Sequence, residues 1–94
     1  MKVKVSHVHL TSSEDKATKG FAHVTVEGAI AIHGIRIVEG KNGLFVAFPS
    51  EKGRDGNYYE TVHPVTAEAR QAIQKAVLEA FERAQSKAQS GPDR

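Results

Sequence analysis

No cysteine occurs anywhere in the 94 residues. That single absence removes disulfide staples, thiolate catalysis and cysteine-based zinc sites. Tryptophan is missing as well, aromatic residues make up 6% of the chain and apolar residues only 39%. A chain of this size forms one domain and hides only about 60–65% of its unfolded surface. So thin a core is expected to find help in self-association, and a homodimer is the simplest form of it. No stretch approaches the roughly 18 consecutive apolar residues of a membrane span. The opening Met1-Lys2-Val3-Lys4 is basic, but the residues after it alternate and build no apolar signal-peptide segment. The expectation is a cytoplasmic protein with no membrane partner. A formal charge of +2 and a pI near 9.0 permit an anionic partner without requiring one.

Catalytic signatures are lacking too. A nucleophilic serine or threonine needs a base and an orienting acid, and no such motif surrounds Ser6, Ser12, Ser13 or Ser50. Gly53-Arg54-Asp55-Gly56 has neither the strand–loop–helix setting nor the Lys-Ser/Thr ending of a phosphate loop. No catalytic residue, cofactor or small-molecule substrate is expected.

What the chain does have is alternation. Lys2 to Leu10 reads as a first strand whose apolar phase slips near Ser6-His7, suggesting a bulge or a strand that passes between two packing environments. Thr11 to Gly20 is polar and turn-rich, a mobile loop. Phe21 to Glu27 forms a second strand with Ala22, Val24 and Val26 on one face. Ala29 to Glu39 forms a third, and it too slips phase at His33-Gly34, where glycine suits a bulge. Asn42-Gly43 predicts a type I′ hairpin turn, which needs positive φ at both central residues. Leu44 to Phe48 follows as an unbroken apolar run, implying burial on both faces. Asn57 to Val62 reads as a short edge strand beyond a polar loop.

Thr66 suits an N-cap, with Glu68 placed in the first helical turn. Ala69, Ile73, Ala76, Val77, Ala80, Phe81 and Ala84 recur at helical spacing, predicting an amphipathic helix from about Ala67 to Ser86. Its apolar stripe centres on Ile73, Ala76 and Ala80, leaving Leu78 off the stripe and available to a second subunit. Glu79 and Arg83 stand in the favourable i, i+4 order. The fold class is therefore α+β: an antiparallel sheet of about four to five strands followed by one C-terminal amphipathic helix. Residues 1–88 form the domain, and 89–94 a disordered tail.

Five histidines invite a metal reading. His7 and His9 share a strand, and His23 lies across from them, so three imidazoles stand near one another. No fourth ligand is indicated, and the slip near His7 sends the two rings in different directions, so no metal is expected. His33 and His63 read as hydrogen-bonded structural residues. The loop from Ser50 to Asn57 is the better site. Lys52 and Arg54 can reach phosphate oxygens, and Tyr58 or Tyr59 can offer a ring to a splayed base. One tyrosine is expected to pack inward, and Tyr59 is assigned to the site. The same charges also fit an ordinary solvated hairpin loop. The helix's outward face mixes Lys75 with Glu68, Glu79 and Glu82, which suits a major groove poorly.

One family does bring these elements together. His33-Gly34-Ile35-Arg36-Ile37-Val38, Asn42-Gly43-Leu44-Phe45-Val46-Ala47, Pro49-Ser50, Asp55-Gly56 and His63-Pro64, in this order and spacing, closely resemble the stage V sporulation protein G (SpoVG) family. The resemblance covers Val3 to about Arg83. It implies a dimer of sheet-plus-helix subunits acting as a small bacterial regulator that binds DNA and RNA, linked to septation, cell division, sporulation and transcription regulation. It points to Lys52 and Arg54 as binding residues, with Arg70, Lys75 and Arg83 on the helix. Glu51 departs from the basic residue usual after Pro-Ser in the family. The competing expectation is a protein-interaction module using the sheet edge and the 50–57 loop.

Overall fold

The computed structural model describes residues 1–11 and 17–90. Four antiparallel strands run in sequence order across one sheet: β1 (Val3–Leu10), β2 (Thr18–Val26), β3 (Ile30–Gly40) and β4 (Gly43–Ala47). A separate two-stranded ribbon follows, β5 (Ser50–Lys52) paired with β6 (Tyr58–Glu60). The chain closes with one helix, α1 (Ala67–Ser90). The α+β plan is the one expected, with the strands divided between two sheets rather than gathered in one. The short strands at Ser50–Lys52 lie where only a loop is legible, because Ser-Glu-Lys carries no apolar alternation.

The bulges stand where the phase slips place them. Val5 pairs with Val24 and His7 with His23, so Ser6 is the extra residue in β1. Ala22 pairs with Ile35 and Val24 with Ile32, which puts two β3 residues opposite His23; Gly34 there takes a φ of 83°. A further irregularity, at Lys19 between Thr18 and Gly20, has no apolar slip to announce it. The type I′ turn lies elsewhere than expected. Glu27 and Gly28 have φ of 55° and 63°, and the Ala29 amide donates to the Val26 carbonyl at 3.0 Å. Glu27 tolerates this because its amide donates to the Lys2 carbonyl at 2.8 Å and its carboxylate accepts from the Lys2 amide at 2.8 Å. At the β3–β4 hairpin only Gly43, φ 116°, has positive φ.

The helix lays a ridge of Ile73, Val77 and Phe81 on one face of the sheet, against Ala22, Val24, Ile32, Ile35, Ile37, Val46 and Phe48. Successive ridge residues are four apart, one helical turn, so they stack along one stripe. The stripe centres there, and Ala76 and Ala80 flank it half-buried. Leu78 is half-buried against the same core rather than free for a partner. Gly20 makes room for the end of the ridge, since a Cβ there would stand 3.4 Å from Phe81 Cε1 and 2.9 Å from the His9 carbonyl oxygen. Thr66 caps the helix as expected, its Oγ1 accepting the Ala69 amide at 3.0 Å. The helix extends to Ser90, four residues past its expected end; residues 12–16 of the expected mobile loop and 91–94 of the expected tail lie outside the described residues.

Leu44 to Phe48 is covered on one face only within the single chain. Val46 and Phe48 are buried, whereas Phe45 remains 43% exposed on the opposite face. β4 is an edge strand, and with one helix the second face has no cover. Nothing lies within 4 Å of where a Cβ would stand at Gly34, so substitution there costs backbone conformation alone. Gly34→Ala is expected to lower stability by about 1–2 kcal/mol in urea unfolding, with Gly34→Asn milder; an unchanged midpoint for Gly34→Ala would contradict the bulge geometry.

Candidate nucleic-acid interface

The polar loop is a locked hairpin. Its base closes where the Pro49 carbonyl accepts both the Thr61 amide at 2.8 Å and the Thr61 hydroxyl at 3.2 Å. At the tip the Gly53 amide donates to the Asn57 carbonyl at 2.7 Å, and the Gly56 amide to the Gly53 carbonyl at 3.1 Å. Asp55 gathers the tip by accepting the Asn57 amide at 3.0 Å, the Asn57 side-chain amide at 3.3 Å and the Tyr59 hydroxyl. The Tyr59 hydroxyl, and after it the Asn57 amide, holds the Asp55 carboxyl below the ordinary carboxylate range. An aspartate so depressed keeps its charge and its bonds until the pH falls below the usual value near 3.8. The loop therefore stays locked throughout the neutral range.

Lys52 is paired with Tyr58 and Glu51 with Tyr59, so Glu51 and Lys52 project to opposite sides of the ribbon. The acid after Pro-Ser thus does not face the lysine beside it. Neither Lys52 nor Arg54 makes an ion pair among the described residues. Both tyrosines are exposed, Tyr58 at 70% and Tyr59 at 53%, rather than one being packed inward. Tyr59 is held by Asp55 and its ring lies across Gly53, where a Cβ would stand 2.8 Å away.

The helical candidates separate. Arg70 joins α1 to the ribbon: its Nη2 is 3.8 Å from Glu60 Oε1 and its guanidinium carbon 5.3 Å from the Phe48 ring centre. Lys75 is exposed on the outward side of the helix. Arg83 lies about 20 Å farther along the axis than Arg70, at 1.5 Å per residue. It lines a groove of about 490 Å³ with Ser6, His7, Val8 and Lys87. The expected Glu79–Arg83 bridge is not among the ion pairs of the described residues. The six residues assigned from the sequence therefore do not converge on one place. Lys52, Arg54, Tyr59 and Arg70 belong to the ribbon and its base, Arg83 to the β1 edge, and Lys75 to neither.

On the sheet face away from the helix, four imidazoles form a row that the sequence only partly discloses. His7 and His9 both follow the bulge, so their rings share a face, 6.0 Å apart, rather than diverging. His7 and His23 stack at 5.8 Å, and His23 meets His33 edge-on at 4.7 Å with Nδ1 to Nδ1 at 2.9 Å. Among the described residues no three such side chains are grouped as metal ligands. Partial burial, then the neighbouring His33, His7 and His9, pushes His23 below the ordinary histidine value of 6.5. Arg36 and Lys4 on this face escaped the sequence reading. Each bulge shifts parity by one, bringing Lys4 to the side of His7 and Arg36 to the side of His33; the phase slips were the available signal.

The SpoVG family model matches residues 1–83. The chain belongs to the SpoVG family. Proteins named "Putative septation protein SpoVG" are similar to it over most of its length. That of Clostridium beijerinckii is 41% identical over 86 residues, 92% of this chain and 93% of the relative. That of Acholeplasma laidlawii is 40% identical over 79 residues, 84% and 80% of the two chains. That of Desulforudis audaxviator is 50% identical over 64 residues, 68% and 73%. The SpoVG match thus spans the whole sheet, the ribbon and α1 as far as Arg83. No helix of the described residues is long and apolar enough to cross a membrane.

The lowered value of His23 fixes the sign of an acid effect. The unfolded chain accepts at His23 a proton near pH 6.5 that the folded protein resists, so this group's contribution to stability is level above that pH and declines below it. An NMR titration is expected to place the His23 midpoint below 6.5, and His23→Gln to flatten the acid decline; a midpoint above 6.5 would contradict the packed histidine row.

Proposed function

We propose that this SpoVG-family chain is a homodimeric, non-catalytic nucleic-acid-binding regulator that engages phosphate through the β5–β6 hairpin. The observation that carries the reading is Lys52 and Arg54, exposed and without ion pairs among the described residues, on a hairpin locked by Asp55 and tied to α1 through Glu60 and Arg70. Cations held on an ordered backbone lose little conformational entropy when they meet phosphate. The outward face of the helix is a poorer anion surface, because Glu68, Glu79 and Glu82 stand among its cations. DNA and RNA both present the required phosphate. The names of the relatives favour a role in septation; gene regulation is the means this reading proposes for it.

Dimer formation is supported by apolar surface that one chain leaves open. Met1, Ile30, Val62 and Val65 are 58%, 61%, 39% and 87% exposed, and they line a groove of about 280 Å³ with Ile32 and Pro64. Sedimentation at micromolar concentration is expected to give about twice the 10.2 kDa chain mass, and a stable folded monomer would contradict the dimer.

A dimer with a few usable cations per subunit engages about 4–6 phosphates, giving a log–log salt slope near −4 to −5 on duplex DNA. Replacing Lys52 and Arg54 together by alanine is expected to weaken binding several-fold to about a hundredfold and to flatten that slope, with melting unchanged. Normal binding by this double variant, with loss in Arg83→Ala, would move the interface away from the hairpin.

A further inference from the structure

The helix covers one face of the four-stranded sheet and leaves the other bare. Cross-strand pairing fixes what that bare face displays. His9 pairs with Phe21, Phe21 with Arg36 and Arg36 with Ala47, one row across all four strands. A second row runs from His7 through His23 to His33. Val38 opposite Phe45 continues the face towards the β3–β4 hairpin, and Lys4 opposite Thr25 extends it towards the other end.

Two independent features of this face point to one kind of ligand. The first is charge. Its fixed charges are Lys4 and Arg36, four imidazoles can add to them, and no aspartate or glutamate occupies an outward position in these rows. Outward rows that carry cations, and no acid among the described residues, complement a polyanion. The second is flat rings presented to solvent. Phe45 lies across Gly40, where a Cβ would stand 3.0 Å from the ring, and is 43% exposed. With Phe21 and the imidazole row it offers stacking surface that duplex DNA, its bases already stacked, cannot use. Single-stranded nucleic acid supplies both unstacked bases and a phosphate chain.

We infer that the outward face of the β1–β4 sheet is a second binding surface, for single-stranded nucleic acid, taking bases on Phe45, Phe21 and the imidazoles and phosphates on Arg36 and Lys4. The inference rests on the nucleic-acid reading of the protein and adds a surface built from other strands than the hairpin. The groove where His7 meets Arg83 and Lys87 continues this face around the β1 edge. It gives Arg83 a place in the same path. A cationic imidazole beside a phosphate favours binding, so single-strand binding is expected to strengthen in acid. The charged groups facing the row are Lys4 from β1, Arg36 from β3 and, at the β1 edge, Arg83 and Lys87 from α1; all are cations.

The test is fluorescence anisotropy with a dye-labelled uridine 12-mer, a thymidine 12-mer and a duplex of the same length, at pH 7.5 and 5.8. The variants are His7→Gln/His9→Gln/Arg36→Gln, Phe45→Ala and the Lys52/Arg54 double alanine, each checked for folding by circular dichroism and for mass by sedimentation. The parent protein is expected to bind the single strands about tenfold more tightly at pH 5.8. The triple variant should lose about tenfold at pH 7.5 together with most of the acid gain, and Phe45→Ala should weaken single-strand binding while sparing the duplex. Unchanged single-strand affinity in both sheet variants overturns the inference. If the hairpin double variant alone abolishes binding of every probe, the hairpin reading stands and this one falls. If only the sheet variants lose binding, the hairpin reading falls instead. Dissociation of a dimer by Phe45→Ala would assign the face to a second copy and also overturn the inference.

Discussion

Everything in this fold depends on one helix closing one face of one sheet. Ile73, Val77 and Phe81 form a ridge a single stripe wide, and Gly20 lets its end settle onto β2. A lone helix can bury only one side of four strands, so the arrangement that creates the core also creates a bare face. The uncovered face of an antiparallel sheet is commonly solvated and polar. Here its cross-strand rows hold four histidines, two phenylalanines and two fixed cations, with no acid among the described residues of those rows.

The bulges connect core to surface. A strand without bulges would put Lys4 and His7 on opposite sides, and likewise His33 and Arg36. One extra residue in β1 and one in β3 restore apolar side chains to the core on both sides of each irregularity. The same correction collects the polar residues on the outside. Gly34 allows this in β3 by taking φ 83°, which a residue with a Cβ adopts only with strain.

Much of this was legible in the sequence, and for physical reasons. Alternation that slips by one residue suggests a bulge or a passage between two packing environments, and the pairing shows bulges at both slips, near Ser6 and at Gly34. Thr66, followed by a 3.6-period pattern, announced the helix and its cap. The type I′ turn was not legible, because glutamate seldom takes positive φ; Glu27 does so held by Lys2, a residue 25 positions away. The apolar run at Leu44–Phe48 suggested two covered faces, since sequence cannot say that β4 is an edge strand or that Phe45 lies across Gly40. Lys52 and Arg54 were singled out from the polar loop and the family resemblance together, and both stand exposed on the hairpin. The separation of Arg83 from them was not, because a helix wheel gives direction around an axis and no distance to other elements.

Amide chemical-shift mapping most directly tests whether binding resides on the surfaces this one-sided packing leaves open. The labelled protein would be titrated with a short duplex and, separately, with a single strand of the same length. The account predicts that the duplex perturbs residues 52–57 and that the single strand also perturbs outward positions of β1–β4, with the amides around Glu68, Glu79 and Glu82 unmoved. Perturbations concentrated on that outward helix face, with the hairpin and the sheet silent, would contradict it.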